Sequence, residues 1–232
     1  MRPLSPVAAS RSVDSPSVSS GSALAVDVVS DIVCPWCYVG KRKLERALEA
    51  LSAQEPALPI TVRWHPFELN PELPAEGIPR AAYLEAKFGR TTGAHDRVKA
   101  VGTSVGIDFA FERIARQPNT RDAHRLVAWA QQSGDAAGLM EALFRAYFVE
   151  GRSLGDAEQL AGIAASAGLD RTAARALLAG DRLRAEIESE YREAQGAGIH
   201  AVPFFIFNGR TAVSGAHDPP TLLEAIAAAR TK

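Results

Sequence analysis

The Val- and Ile-rich run from Ala23 to Val33 leads without a linker into Cys34-Pro35-Trp36-Cys37, and this junction constrains the fold more than any other stretch of the chain. An apolar run of that length, bounded by a sharp change of composition, reads as a buried strand. A helix has to begin immediately behind it. Pro35 suits the first helical turn, where a missing N–H is no loss, and Leu44, Leu48 and Leu51 recur on one face through Arg42 to Ala53. Pro56 and Pro59 close that helix. Ile60, Val62 and Trp64 then alternate with Thr61, Arg63 and His65, the period of a half-buried strand that runs into Pro66-Phe67-Glu68-Leu69. The opening order is strand, helix, strand.

From about Asn70 to Gly180 the pattern changes to helices punctuated by Gly, Pro and Asp, with no convincing strand. Asn119 or Thr120 can cap a helix carrying His124, Val127 and Trp129. Leu139, Leu143, Phe144, Tyr147 and Phe148 form a broad apolar face on the next, and Asp156 with Gln159 resembles a capping box ahead of Leu160, Ile163 and Ala167. Leu183, Ile187, Tyr191 and Ala194 keep helical spacing until Gly196 and Gly198 stop it. Phe204 to Phe207 is a short apolar strand, Asn208-Gly209 is a strong two-residue hairpin signal, and Thr211 to Ser214 can pair back. Asp218, Pro219 and Pro220 open a last helix with Leu222, Leu223 and Ile226 on its buried face. The expected class is α/β: a small mixed sheet with helices on both faces and an all-helical insertion. The expected boundaries are a disordered tail over residues 1–22, a first part of the sheet domain over 23–72, the insertion over 73–182 and the second part over 183–232.

At 232 residues and 47% hydrophobic content, the chain can bury a large core without disulfide staples. A net charge of -1 and a pI near 6.5 disfavour nucleic acid and anionic lipid as partners. No apolar run approaches the roughly 18 residues of a membrane span. The first 22 residues hold eight serines and three prolines, and Pro3, Pro6, Ser10, Arg11, Ser12 and Asp14 interrupt every candidate secretory core. A cytoplasmic location is therefore expected. In that compartment a close cysteine pair does redox work more often than it staples a fold.

A Cys-x-x-Cys at a helix start puts the first sulfur where unpaired backbone N–H groups and the helix dipole stabilise negative charge. Cys34 is thus expected to attack a disulfide, and Cys37, one turn deeper, to resolve the mixed disulfide. Pro35 stiffens the turn and Trp36 offers an apolar rim beside the reactive sulfur. Two cysteines placed at random in the chain would fall three apart only about 1% of the time. A zinc site would need two more ligands, and the histidines at 65, 95, 124, 200 and 217 show no paired spacing. Val202-Pro203 stands just before a strand, a position a proline tolerates at a strand's first residue or at an edge, and it is a cis candidate.

Ser30-Asp31-Ile32-Val33-Cys34-Pro35-Trp36-Cys37, Trp64-His65-Pro66-Phe67-Glu68-Leu69-Asn70-Pro71, Asn119-Thr120-x-x-Ala123-His124-Arg125-Leu126 and Gly198-Ile199-x-x-Val202-Pro203-Phe204-Phe205, in this order, closely resemble the FrnE-like branch of the DsbA family. The resemblance spans residues 24 to 230. It implies a thioredoxin-like fold split by a helical domain, with Val202-Pro203 as a cis peptide beside the active site and the Val202 backbone available to pair with a substrate segment. The branch is also similar to 2-hydroxychromene-2-carboxylate isomerases and kappa-class glutathione transferases, which usually carry Ser where this chain has Cys34. Keeping both cysteines favours disulfide exchange with a peptide or small-molecule thiol or disulfide, requires no bound cofactor and leaves glutathione open as co-substrate. The alternative is a glutathione-dependent isomerase or transferase; the branch takes its name from polyketide biosynthesis. A third reading is a binding protein with a chaperone or metal-storage role. The second cysteine pair that some FrnE-like proteins carry near the C-terminus is absent here.

Three further features admit a plainer reading. Asp31 could perturb the thiolate or relay a proton, although an acid beside a strand end is more often solvated or a cap. His124 could face the cleft, although a lone helical His usually packs through a hydrogen bond. Ser214, Gly215, His217 and Asp218 occupy the turn where the glutathione-using relatives bind a carboxylate, and capping is the better reading for them.

Overall fold

The computed structural model describes residues 23–89, 93, 95–134 and 136–231; the expected tail over 1–22 lies outside them. β1 (Leu24–Ser30) feeds α1 (Pro35–Gln54) through a four-residue turn, and β2 (Ile60–Pro66) follows. Then come β3 (Ile78–Pro79), α2 (Arg80–Phe88), α3 (Asp96–Ser104), a single 3-10 turn at Phe111–Arg113 and β4 (Arg116–Gln117). α4 (Arg121–Gln132), α5 (Ala137–Phe148), α6 (Ala157–Ser166) and α7 (Arg171–Ala179) complete the helical block. α8 (Arg184–Gly196), β5 (Phe204–Phe207), β6 (Thr211–Ser214) and α9 (Pro219–Arg230) return the chain to the sheet.

The sheet order is β2-β1-β5-β6. β1 pairs in parallel with β2, Val28 opposite Trp64, and antiparallel with β5, Val28 opposite Phe205. Alternation along these strands sorts the side chains into two layers. Leu24, Val26, Val28, Phe205 and Phe207 are buried against α1 and α9, each large side chain contributing roughly 1.5–3 kcal/mol. Val29 joins Phe67, Ala194 and Ile199 in a smaller cluster under α8. The outer edge of β2 is met by Gln131 of α4, whose amide accepts from the Trp64 N–H at 2.6 Å and donates to the Trp64 carbonyl at 3.0 Å, as a neighbouring strand would. The hairpin after β5 uses Asn208 and Gly209, both at positive φ (50° and 63°).

Several sequence expectations need correction. The stretch from Asn70 to Gly180 is not free of strands: β3 and β4 pair antiparallel, Ile78 opposite Gln117, in two-residue pieces too short to carry a period of two. Of the two candidate caps for α4, Asn119 does the work, its Oδ1 accepting the Arg121 N–H at 2.9 Å; the Thr120 side chain makes no capping bond. Leu183 is not part of α8 but precedes it in the left-handed region at φ 65°. Asp218 precedes α9 without capping it through its side chain, because its carboxylate is drawn to Lys43 Nζ at 2.7 Å. Asp156 does accept the Gln159 N–H, at 2.9 Å.

Candidate active site

The turn from Asp31 to Cys34 is closed by the Cys34 N–H donating to the Asp31 carbonyl at 3.0 Å, which ends β1 and aims the chain into α1. Cys34 is the N-cap of α1 in extended conformation (φ −92°, ψ 112°), with Pro35 as the first helical residue. The geometry fits the physical logic of a helix start: the Cys34 carbonyl accepts the first N–H bonds, from Cys37 at 3.0 Å and Tyr38 at 3.4 Å, while its sulfur stays outside the helix. Both cysteines are free thiols. Cys34 Sγ lies 3.7 Å from the Val202 carbonyl oxygen, to which the thiol donates.

The Val202-Pro203 peptide is cis. Pro203 is buried, and its carbonyl accepts the Gly215 N–H at 2.8 Å, which fixes the loop to the turn after β6. Gly40 sets the distance between this loop and α1. A Cβ there would stand 2.8 Å from Pro203 Cγ and 3.1 Å from Phe205 Cζ, so only glycine lets the helix come this close. Sequence reasoning missed Gly40; a glycine in a helix interior, where it costs about 1 kcal/mol against alanine, was the available signal.

Cys37 sits deeper, with 1% of its surface exposed against 6% for Cys34. Burial first, then the hydrogen bond and charge of Cys34, push its thiol pKa well up, while the Ser30 hydroxyl and the Asp31 backbone pull the other way. Pro35 and Trp36 are half-buried at the rim. The Arg97 guanidinium of α3 lies 5.7 Å above the Trp36 ring, so the helical block reaches the mouth of the site.

Asp31 is fully buried, so of the two plain readings, solvated or capping, the solvated one fails; partners from elsewhere in the fold converge on it. Its Oδ2 accepts the Leu69 N–H at 2.7 Å, its Oδ1 the Val33 N–H at 3.4 Å, and His124 Nε2 stands 3.6 Å away. His124 is 4% exposed with Nε2 3.1 Å from the Phe67 carbonyl, a packing role that also ties α4 to the end of β2. Ser214, Gly215, His217 and Asp218 form the turn beside Pro203, where His217 Nε2 lies 3.0 Å from the Ser214 carbonyl.

Further along α1, Tyr38 donates its hydroxyl to Glu141 Oε1 of α5 at 2.7 Å, and the nearly buried Lys41 reaches Glu141 Oε2 at 2.8 Å. Burial and then Glu141 push the Tyr38 hydroxyl far above its ordinary range; burial opposes ionisation of Glu141, yet its bonds to Lys41 and Tyr38 hold its carboxyl below the usual value. This network fastens the helical block to α1. Among the described residues no group of three or more His, Cys, Asp or Glu side chains could hold a metal ion, and no helix is long and apolar enough to cross a membrane.

Residues 25–227 match the family model described as a DSBA-like thioredoxin domain. The chain belongs to this family. A probable DsbA oxidoreductase from Streptomyces coelicolor is 33% identical, with 89% of each chain covered and a TM-score of 0.79. The uncharacterized protein YwbO of Bacillus subtilis is 28% identical over 195 residues, covering 82% of this chain and 90% of that one. The fold is shared with DsbM from Pseudomonas aeruginosa, a cytosolic disulfide reductase solved with GSH, at 21% identity, a TM-score of 0.61 and coverage of 89% and 95%. As a member of the DSBA-like family, the chain has the thioredoxin-like fold with a helical insertion, the setting of a thiol redox enzyme.

Proposed function

We propose that the protein is a dithiol–disulfide oxidoreductase working through Cys34 and Cys37. The observation that carries this reading is the placement of two free thiols one helical turn apart, Cys34 at the N-cap of α1 against the Val202 carbonyl and Cys37 buried behind it. In the reducing direction the Cys34 thiolate attacks one sulfur of a substrate disulfide, and the bond between the two substrate sulfurs breaks as the other leaves as thiolate. Cys37 then gives up its proton and attacks Cys34 Sγ, releasing the second substrate thiolate and leaving the Cys34–Cys37 disulfide. The oxidising direction is the reverse. Trp36 and Pro35 border the approach, and the backbone at Val202 and Pro203 is the platform on which a peptide or small disulfide lies. No bound cofactor is needed. A cytoplasmic setting fits this reading, since neither cysteine staples the fold, and glutathione then becomes a natural co-substrate.

Turnover of a peptide disulfide by wild type and by each single Cys→Ala variant tests the proposal. Cys34→Ala is expected to lose activity by at least on the order of 100-fold, and Cys37→Ala to lose catalytic turnover as well. Activity that survives in Cys37→Ala and saturates with glutathione would instead support the isomerase or transferase reading.

A further inference from the structure

Cys37 has to lose a proton before it can attack, and its surroundings offer an exit away from the mouth of the site. Ser30, the last residue of β1, is 1% exposed, and its hydroxyl is close enough to Cys37 to favour the thiolate. In the resting structure that hydroxyl makes no hydrogen bond of good geometry. A buried hydroxyl is ordinarily paired with protein or with a water. Beside it lies a cavity of about 10 Å³, room for one water, whose lining includes Ser30, His65, His124 and Glu190. The same His65 and Glu190 line an open groove of about 360 Å³ between α8 and the sheet. There His65 Nδ1 is 3.2 Å from Glu190 Oε2 and its Nε2 2.9 Å from Asp27 Oδ1.

We propose that Ser30, one water in this cavity and the Glu190–His65 pair carry the proton between Cys37 and the groove. The proposal rests on the dithiol reading above. In the resolving step the Cys37 S–H proton passes to the Ser30 oxygen as the Ser30 proton moves to the water, and the water hands one on to the carboxylate of Glu190, which exchanges it with solvent in the groove. No electrons move along the route; the electron pair left on Cys37 forms the new S–S bond. The charged and titratable groups around it are Asp27 on β1, Arg63 and His65 on β2, His124 on α4, and Glu190 and Glu193 on α8. Asp31 is the competing acceptor: its carboxylate holds the Leu69 and Val33 N–H groups, and an unchanged second release in the variants below would assign the proton to it instead. In this route Ser30 is the group next to the reacting thiol, and Glu190 and His65 act through it.

One equivalent of dithiobis(nitrobenzoate) separates the steps, since the first coloured thiolate reports attack by Cys34 and the second reports resolution by Cys37. Ser30→Ala and Glu190→Gln are each expected to slow the second release by on the order of 10-fold while changing the first by less than about two-fold. The double variant should be no slower than the slower single, Ser30→Thr should restore the rate, and the second release in wild type should show a solvent deuterium effect that Ser30→Ala alters. An unchanged second release in both variants, or both releases slowed alike, overturns the route. If wild type releases only one thiolate, the dithiol reading itself fails and the route falls with it, a result distinct from a wild type that resolves normally with variants that do so equally well.

Discussion

Cys34 and Cys37 are one helical turn apart, yet Cys34 keeps its sulfur outside the helix, 3.7 Å from the Val202 carbonyl oxygen, whereas Cys37 is 1% exposed and faces the end of β1. Desolvation and the neighbouring sulfur oppose ionisation of the second. Under the proposed mechanism, burial rather than residue type sets which thiol attacks first. In that mechanism the slightly more accessible, backbone-supported thiol meets the substrate, and the deeper one acts only after the first has formed a bond.

The largest test of that asymmetry exchanges the thiols one at a time for serine. Cys37→Ser is expected to accumulate a mixed disulfide at Cys34, seen as a mass increase after incubation with a peptide disulfide, while Cys34→Ser accumulates almost none. Equal trapping by both variants would break the comparison. Next in size is Gly40→Ala, which forces Pro203 away from α1 and should destabilise the fold by about 1–3 kcal/mol in denaturant melts; it should slow the first attack on a substrate more than the resolution that follows. Glu141→Gln probes the junction of α1 with α5 and is expected to cost about 1 kcal/mol by removing the charge that Lys41 and Tyr38 satisfy, with little effect on the first attack.

The smallest expected effect concerns His65. Its hydrogen bond to Glu190, against burial and with help from Asp27, raises its pKa above the ordinary 6.5. A histidine with a raised folded-state pKa contributes stability that is fully present below the unfolded value and is lost as pH rises through the folded value. The stability gap between wild type and His65→Gln should therefore be widest below about pH 6.5, the ordinary histidine value, and narrow as pH rises above it. A gap that widens with pH would contradict the assigned partners.

What the sequence made legible was whatever a contiguous segment carries within itself. The strand, the cysteine pair and the amphipathic helix that follow one another from β1 into α1 are readable because period and capping chemistry are local, and the Asn208-Gly209 hairpin is readable for the same reason. The sites that escaped are set by partners distant along the chain. Asp31 looks like a solvated acid or a cap until the Leu69 backbone and His124 arrive from β2's end and α4; Asp218 looks like a cap until Lys43 of α1 claims its carboxylate; Gly40 has no visible purpose until Pro203 packs on it. β3 and β4 are too short to leave any periodic trace.

The most direct test of the central claim is a redox titration of wild type and Cys34→Ala across glutathione buffers, read by the mass added on alkylation of free thiols. Wild type is expected to show a reversible two-electron transition, with both thiols lost together into an intramolecular disulfide, and the variant no such transition. Thiols that stay free in wild type even in the most oxidising buffer would contradict it.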